Sequence, residues 1–447
     1  MNVLLITTFF PPDTTIANVR AFMFAKHLAA FGENVTVLRS GEFELAPFDE
    51  YERDNSFEVL SALGKNSDAE KFERGEYSGF QPTSRSRFHS LPRLLRKPVK
   101  AVKDTAKIIT GTPPKCIRHQ CCVLKYQKRL IDRLYSAGRR FDVVFSTCGS
   151  VENIYAGNYA AQRFGAKWIM DFRDSMIMRG EMNDDAWWNV YAKKATLCAL
   201  KNADCITAVS ADLAEELKDM YPSASVKVLY NGFDDTQPLP DATTDRGVLS
   251  FCYTGRLYDD RKPALNALVK CLADLIKCNK INRNKIRFAY AGSSFDAFET
   301  AFAKAGISDV LVNKGYLSKS DTFILQLESD IHTVLSWNTN NSRGILTGKF
   351  YEGIKAGRPI LALLAGDTPN SELLQLQRQY GYGFCYENCT QSTSMPQMKE
   401  YITKLYREKM TRGKLSYAPS KELCDAFGYT HISRQLDDMM HELTAQR

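Results

Sequence analysis

The sequence alternates buried-strand patterns with amphipathic helix patterns twice, and a polar stretch separates the two arrays. The first array opens with a continuous apolar run over 3–7, which is typical of a parallel strand buried on both faces. The second array opens with a similar run over 249–254. Strands that alternate with helices build parallel sheets. The 447 residues therefore predict two Rossmann-like, doubly wound α/β domains that face a central cleft.

The same patterns predict individual elements and boundaries. The predicted strands are 3–7, 35–38, 142–145, 167–171, 205–209, 226–230, 249–254, 286–291, 310–313, 333–337 and 359–363. The predicted helices include 17–31, 151–164, 264–277, 320–327, 346–356 and 398–408, with a further one beginning at 211. We expect domains over 1–235 and 236–425, a linker at 234–246, and an insertion over about 62–140. A C-terminal helix over 426–447 is expected to pack back on the first domain.

Composition limits the setting in which the chain works. No apolar run approaches the ~20 residues of a bilayer span, and the apolar N-terminus lacks the basic flank of a signal peptide. The twelve cysteines form no paired framework, so we expect reduced thiols in a cytoplasmic protein. A cluster of Cys116, His119, Cys121 and Cys122 lacks the spacing of a structural zinc site, and we expect no metal.

Basic residues are concentrated in one segment. Residues 85–140 contain sixteen Lys and Arg against two Asp, a local balance of +14 in a chain of net charge +8. These cations alternate with Leu, Val and Ile, a composition that favours anionic membrane surfaces. Aromatic side chains for base stacking are few here, so we expect no nucleic-acid partner. A solvated insertion is the alternative.

Two cations follow the first strand of the second array. Gly255 and Arg256 come directly after 249–254, and Lys262 lies six residues beyond Arg256. A glycine lets the backbone approach a ligand closely, and cations neutralise charge that develops on a departing diphosphate. The pattern predicts a diphosphate site, with a loop of solvated charges as the alternative.

A glycine-containing loop then runs into a predicted helix. Thr347, Gly348 and Lys349 stand at the start of this helix, where free N–H groups and the helix dipole favour phosphate. Glu352 follows one turn later and can accept hydrogen bonds from two ribose hydroxyls. Alternatively, Glu352 pairs with Lys349 or Lys355 on a solvated helix face.

Taken in order, these segments resemble glycosyltransferase family 4, which has the GT-B fold. The opening LLITTFFPPDTTIANVRAFMFAKHLAAFGENVTVL is similar to that family's first strand, loop and helix. The segments ADCITAVSADLAEEL and VLYNGFD are similar to its approach to the interdomain linker. The segment TGRL, together with Lys262, is similar to the Arg and Lys with which the family holds the diphosphate. The segment GILTGKFYEGIKAGRPILAL is similar to the family's donor-binding helix and the strand that follows it. DFRD at 171–174 is similar to one bacterial branch. The resemblance covers most of the chain outside 62–140.

The resemblance implies roles for particular residues. The diphosphate would be held by Arg256 and Lys262 and by the backbone of Thr347 and Gly348, and the ribose by Glu352. Further donor contacts would come from Gly255, Lys349, Gly315, Tyr316 and Leu317, the last three where the family holds the base. Arg173 and Asp174 would join Arg256 and Lys262 as catalytic residues. The acceptor side would comprise Thr14, Thr15, Asn18, Arg20 and Asp171. A strand-end salt-bridge cluster is the alternative for 171–174.

The sequence departs from the family at three points. Many members carry a Glu-x7-Glu motif, and its first Glu would fall at Gly344, so the donor sugar must be contacted by another residue. The first loop has Thr14-Thr15-Ile16-Ala17 where members have adjacent glycines. Arg173 and Asp174 occupy the region where many members have a histidine.

The resemblance implies a retaining, hexosyltransferase-type enzyme that needs no metal. It would move a sugar from a nucleoside-diphosphate donor to an acceptor hydroxyl, on a bacterial surface polysaccharide or a lipid-linked glycan. Two alternatives stay open at this point: a sugar-nucleotide epimerase or hydrolase on the same fold, and a non-catalytic GT-B subunit that docks a partner at the membrane.

Overall fold

The computed structural model describes residues 1–11, 18–40, 56–61, 115–148, 151–174, 197–240 and 242–445. The described chain divides into two compact units. The first contains residues up to Val209, Leu213–Leu229 and the C-terminal residues from Ser433 onward. The second contains Ser210–Asp212 and Tyr230–Ile432. Each unit is built on a parallel sheet, as the strand–helix alternation predicts.

The first unit contains a seven-stranded sheet in the order β3-β2-β1-β4-β5-β6-β7, in which every pairing is parallel. The order reverses between β1 and β4, and ligands of doubly wound sheets bind at the carboxyl ends beside such a reversal. Its strands are β1 Asn2–Thr7, β2 Asn34–Arg39, β3 Glu58–Ser61, β4 Val143–Cys148, β5 Lys167–Phe172, β6 Cys205–Ala208 and β7 Val226–Val228.

Helices cover the first sheet. They are α1 Val19–Ala30, α2 Lys115–Ser136, α3 Glu152–Phe164, α4 Ala211–Met220 and the C-terminal α12 Tyr429–Ala445. Residues of α12 from Ser433 onward belong to this unit. The core is tightest where α3 crosses the sheet: a Cβ placed at Gly157 would lie 2.4 Å from Ser146 Oγ and 2.5 Å from Trp168 Nε1. Only glycine fits there, so α3 lies directly on β4 and β5.

The helix α2 corrects the prediction of one insertion over 62–140. Val123, Gln127, Ile131 and Leu134 are buried at helical spacing, and Ile131 and Leu134 join the core that α3 also lines. The last part of the predicted insertion is therefore a core helix of the first unit. Residues 62–114 lie outside the described residues. The outer face of α2 exposes Lys125, Arg129 and Arg133.

The second unit contains a six-stranded parallel sheet in the order β10-β9-β8-β11-β12-β13. Its strands are β8 Leu249–Thr254, β9 Ile286–Ala291, β10 Leu311–Asn313, β11 Ile331–Trp337, β12 Ile360–Ala365 and β13 Gly383–Glu387. Its helices are α5 Lys262–Lys277, α6 Phe295–Lys304, α7 Lys319–Glu328, α8 Gly348–Lys355, α9 Glu372–Tyr380, α10 Gln391–Arg412 and α11 Lys421–Phe427. The order reverses between β8 and β11.

The sequence-based prediction misses β3, β13, α2, α6, α9 and α11 and places the other strands within a few residues. No helix in the described ranges combines the length and apolar character that a bilayer crossing requires. The cysteines whose side chains are described are free thiols.

Candidate functional site

The predicted donor residues of the second unit gather at the carboxyl ends of β8, β9, β10 and β11. This edge contains the reversal of strand order between β8 and β11, where an open α/β sheet binds its ligand. Loops that leave adjacent parallel strands meet at one edge, so residues far apart in sequence become neighbours here. The topology alone therefore accounts for the position of the site.

The loop after β8 is held against the loop after β9. Gly255 has a φ of +98°, which favours glycine, and its carbonyl accepts a hydrogen bond from Tyr290 Oη at 3.0 Å. A Cβ at Gly292 would lie 2.4 Å from that same carbonyl oxygen. Gly292 N donates in turn to the Gly315 carbonyl at 2.9 Å. Three successive strand ends thus form a smooth backbone surface that a flat or anionic ligand can approach.

Arg256 and Lys262, the predicted diphosphate clamp, are placed differently. Arg256 is exposed, with its guanidinium carbon 5.1 Å from the centre of the Tyr258 ring. Lys262 is half exposed and donates to Asp259 at 2.7 Å, and this bond lowers the pKa of the Asp259 carboxyl. In the described structure the Lys262 ammonium is therefore engaged by a neighbouring surface carboxylate.

Arg261 is the buried cation of this region, and the sequence analysis missed it. Only 8% of its surface is exposed, and its guanidinium carbon lies 4.9 Å from the ring centres of both Tyr258 and Trp337. Its Nε is buried without a hydrogen-bond partner in the described structure. A buried cation with a donor to spare is suited to bind an anion. Residues 259–261 form a short 3-10 turn, which directs Arg261 inward at the end of β11.

Lys349 lies beside Gly255, as the prediction of one donor site requires. A Cβ at Gly255 would lie 3.1 Å from Lys349 Nζ, and that nitrogen lies 5.4 Å from the Tyr253 ring centre. Burial lowers the pKa of Lys349, and the Arg261 charge lowers it further. A polyanionic ligand would stabilise the charged form of Lys349 against this burial.

The N-terminus of α8 adds backbone donors. Thr347 occupies the N-cap position in an extended conformation, and its side chain makes no capping bond. The Thr347 Oγ1 atom is buried and has no hydrogen-bond partner. The first turn of a helix leaves N–H groups without intrahelical partners, and together with the dipole they favour phosphate. Thr347, Gly348 and Lys349 are thus suited to the predicted phosphate contact.

Glu352 is positioned by a residue that the sequence analysis also missed. Gln326 is buried on α7 and donates through Nε2 to Glu352 Oε2 at 2.7 Å and to Thr254 Oγ1 at 3.0 Å. No hydrogen bond engages Glu352 Oε1, and no ion pair joins Glu352 to Lys349 or Lys355 in this part of the structure. One carboxylate oxygen is fixed by Gln326, and the other is available to accept a hydrogen bond from a ribose hydroxyl.

The predicted base-binding segment lies at the end of β10. Leu317 packs against a small buried cluster that includes Cys252 and Leu325. The preceding Tyr316 is 88% exposed, the largest exposed fraction among the large hydrophobic residues described. Leu317 therefore anchors the loop, and Tyr316 presents an unburied aromatic ring.

The backbone and the neighbours at Gly344 leave no room for the first glutamate of the Glu-x7-Glu motif. The φ of Gly344 is +66°, and a Cβ there would lie 2.4 Å from Ser210 Oγ and 2.8 Å from Asp212 Cβ. A glutamate cannot be placed at 344 without moving these neighbours. The backbone itself excludes the family's usual sugar contact.

In the first unit, Asp171 and Arg20 are fully buried. Asp171 accepts four hydrogen bonds: two from Arg20, at 3.0 and 2.7 Å, one from Thr147 at 2.9 Å and one from Thr207 at 2.8 Å. Arg20 also donates to the Leu229 carbonyl at 2.8 Å. Both side chains are engaged inside the first unit, and their role as acceptor contacts stays a prediction. They join α1 to β4, β5 and β6, so the salt-bridge alternative describes Asp171.

The other first-unit predictions are distributed around this pair. Asn18 is buried at the N-cap position of α1. Arg173 is half-buried and Asp174 is exposed, directly after β5. Thr14 and Thr15 lie outside the described residues. The roles of these five residues remain predictions.

The two parallel sheets and their strand-end site define the GT-B class of fold. No protein-family model and no curated protein matches the chain. Among solved structures, sucrose-phosphate synthase of Thermosynechococcus elongatus is 13% identical with a TM-score of 0.58, and the match covers all of both chains.

Two further solved structures have similar full-length matches. Anabaena HepE in complex with UDP and glucose is 10% identical with a TM-score of 0.54, covering 99% of this chain and 100% of that one. The lipopolysaccharide outer core galactosyltransferase WaaB is 11% identical with a TM-score of 0.53, covering 99% of both. At these identities the likeness shows the fold.

Proposed function

We propose that this protein is a glycosyltransferase that takes a sugar from a nucleoside-diphosphate donor. One observation carries the proposal: at the reversal of strand order, Lys349 at the N-terminus of α8 lies beside the backbone of Gly255, and the buried Arg261 is close enough to affect its charge. These groups are suited to a departing diphosphate, since they supply positive charge and N–H donors where negative charge develops. In this proposal, the protein's own cations supply the positive charge.

The finer parts of the proposal rest on the family resemblance and on the names of similar structures. HepE was solved with UDP and glucose, which favours a UDP-sugar as the first donor to test. WaaB is a lipopolysaccharide outer core galactosyltransferase, which supports a bacterial surface glycan or lipid-linked acceptor. Retention of configuration and membership of family 4 follow from the resemblance alone.

The test is a donor screen on purified protein by thermal shift, followed by turnover assays. A nucleoside diphosphate at 100 times its Kd should stabilise the protein by ~2.7 kcal/mol. UDP-glucose is the first probe, with GDP-, ADP- and dTDP-sugars beside it, and nucleoside diphosphate release is the readout for turnover. Binding without release or transfer would favour the non-catalytic alternative. Absence of any shift with every nucleotide would refute the donor site itself.

Glu352→Gln should weaken binding of the nucleoside diphosphate. The amide keeps the shape of the side chain and can still accept from Gln326, but it loses the charge that strengthens ribose hydrogen bonds. We expect a loss of ~1.5–3 kcal/mol, measured by isothermal titration calorimetry with UDP or the tightest nucleotide of the screen. Glu328→Gln, at an exposed position of α7, is the control. An unchanged dissociation constant for Glu352→Gln would place this carboxylate outside the donor site.

We also propose that the basic segment 85–140 binds anionic membranes. The exposed cations Lys125, Arg129 and Arg133 on α2 support this, while residues 85–114 lie outside the described residues. Binding to phosphatidylglycerol liposomes should be strong at low salt and fade as the Debye length falls to ~3 Å at 1 M salt. Replacing the three α2 cations with Gln should weaken co-sedimentation and leave UDP affinity unchanged. Equal sedimentation of this variant and the wild type at low salt would count against a role for α2.

A further inference from the structure

A second cluster of ionisable groups lies wholly within the first unit. Glu33 stands in the turn between α1 and β2, while Asp437 and His441 are four residues apart on one face of α12. The three side chains come from opposite ends of the sequence. Among the described residues, they form the one group of His, Cys, Asp or Glu whose ligand atoms lie close enough to hold one metal ion.

The geometry is compact. His441 Nε2 lies 3.2 Å from Glu33 Oε1 and 3.8 Å from Asp437 Oδ1, and all three ligand atoms lie within 4.8 Å of one another. Zinc bonds to nitrogen and oxygen are about 2.0–2.2 Å long, so the ligands of a tetrahedral site lie roughly 3.3–3.6 Å apart. The two separations from His441, 3.2 and 3.8 Å, lie just below and just above this range, and small rotamer adjustments would bring all three ligand atoms into it.

Each carboxylate directs one oxygen to the cluster because the other is already engaged. Arg434 donates to Asp437 Oδ2 at 2.7 Å, and the α-amino group of Met1 bonds to Glu33 Oε2. Arg434 itself lies 3.5 Å from the Phe31 ring centre, so its position is fixed. These hydrogen bonds hold each carboxylate in place, in the same way that hydrogen bonds from neighbouring groups orient the ligands of a metal ion.

An independent observation points to a ligand. Asp437 is 3% exposed, and its Oδ1 atom is buried without any hydrogen-bond partner. A buried carboxylate oxygen normally accepts a hydrogen bond, because leaving one unsatisfied costs about 1–3 kcal/mol. Oδ1 faces His441 Nε2 at a distance too long for a hydrogen bond. An ion between the three side chains would satisfy this oxygen.

We propose that Glu33, Asp437 and His441 form a site for a divalent transition-metal ion, with zinc as the ion that best suits their chemistry. One imidazole nitrogen and two carboxylate oxygens are donors that zinc accepts, and the half-exposed side of His441 leaves a fourth position for water. The ion would tie α12 to the turn after α1. The ion would have a structural role, and none of its ligands belongs to the donor site.

The test is metal binding by untagged, chelator-treated protein. Zn²⁺ titrated by calorimetry should bind with 1:1 stoichiometry and raise the melting temperature. Co²⁺ should give visible d–d bands without a thiolate charge-transfer band, which separates this site from the free cysteines. His441→Ala and the nearly isosteric Asp437→Asn should each weaken binding by at least about tenfold. His431→Ala, at an exposed position of the same helix, should bind like the wild type.

Three outcomes would overturn the proposal. The first is a wild type that binds no Zn²⁺ at 1:1 stoichiometry. The second is a thiolate charge-transfer band that accounts for all of the bound Co²⁺. The third is equal affinity in the wild type, His441→Ala and Asp437→Asn, provided that circular dichroism shows the variants folded. In that last case, His441 and Glu33 would be joined by a hydrogen bond alone, without a metal ion between them.

Discussion

Arg261→Met is expected to lower sugar transfer by about 10²–10³-fold, the loss typical of removing one group that stabilises charge in the transition state. Methionine keeps much of the side chain's bulk between Tyr258 and Trp337, so the packing of the loop should survive. The loss should fall mainly on kcat, because the negative charge on the departing diphosphate grows as the sugar–phosphate bond breaks. The measurement is steady-state transfer or donor hydrolysis with the donor identified by the screen.

Lys262→Met is the matched control for this prediction. Sequence spacing predicts Lys262 as a diphosphate ligand, whereas the structure pairs it with Asp259 at the surface. We therefore expect Lys262→Met to retain activity within a few-fold. A large loss in Lys262→Met with an active Arg261→Met would reverse the assignment and restore the sequence-based prediction. Melting temperatures of both variants would separate a catalytic loss from unfolding.

Arg20→Met should destabilise the first unit by about 3–5 kcal/mol, the cost of leaving one partner of a buried ion pair uncompensated. Asp171 would keep the hydrogen bonds from Thr147 and Thr207 but lose the cation that balances its charge. The measurement is denaturant unfolding followed by circular dichroism.

Lys227→Met provides the comparison for Arg20→Met. Lys227 pairs with Glu442 at 2.8 Å, but both side chains are largely exposed, so breaking this pair should cost no more than about 1 kcal/mol. If Arg20→Met leaves stability unchanged and instead raises the KM for the acceptor, the original prediction of Arg20 as an acceptor contact is right.

Strands and helices with a regular apolar pattern were predictable from the sequence. The strands at 249–254 and 286–291 were placed correctly because each is a short, mostly apolar run that ends at a glycine. The helix α2 was missed because a buried Gln127 interrupts its apolar face and because its dense positive charge indicates a solvated segment. The strand β13 was missed because GFCYE is only five residues long and has a glycine at one end and a glutamate at the other.

The sequence predicts the outline of the candidate donor site but not its inner contacts. Gly255, Lys349 and Glu352 could be proposed because glycine, lysine and glutamate at a strand end and a helix start suit phosphate and ribose groups, and their roles stay predictions. Gln326 could not be found this way, since a glutamine on a helix gives no signal until its contact with Glu352 is seen. Arg261 and Lys262 are adjacent, and which of them points inward depends on the direction of one short 3-10 turn. That direction could not be predicted from the sequence pattern.

The C-terminal helix has a consequence for how the chain is made. Residues from Ser433 onward belong to the first unit, and Leu436, Met439 and Met440 are buried there, although the whole second unit is encoded before them. A ribosome therefore makes this part of the first unit only after it has made the whole second unit. During synthesis, the second unit has its entire sequence available while the first still lacks part of its core. The unit whose translation begins first is thus the unit whose sequence is completed later.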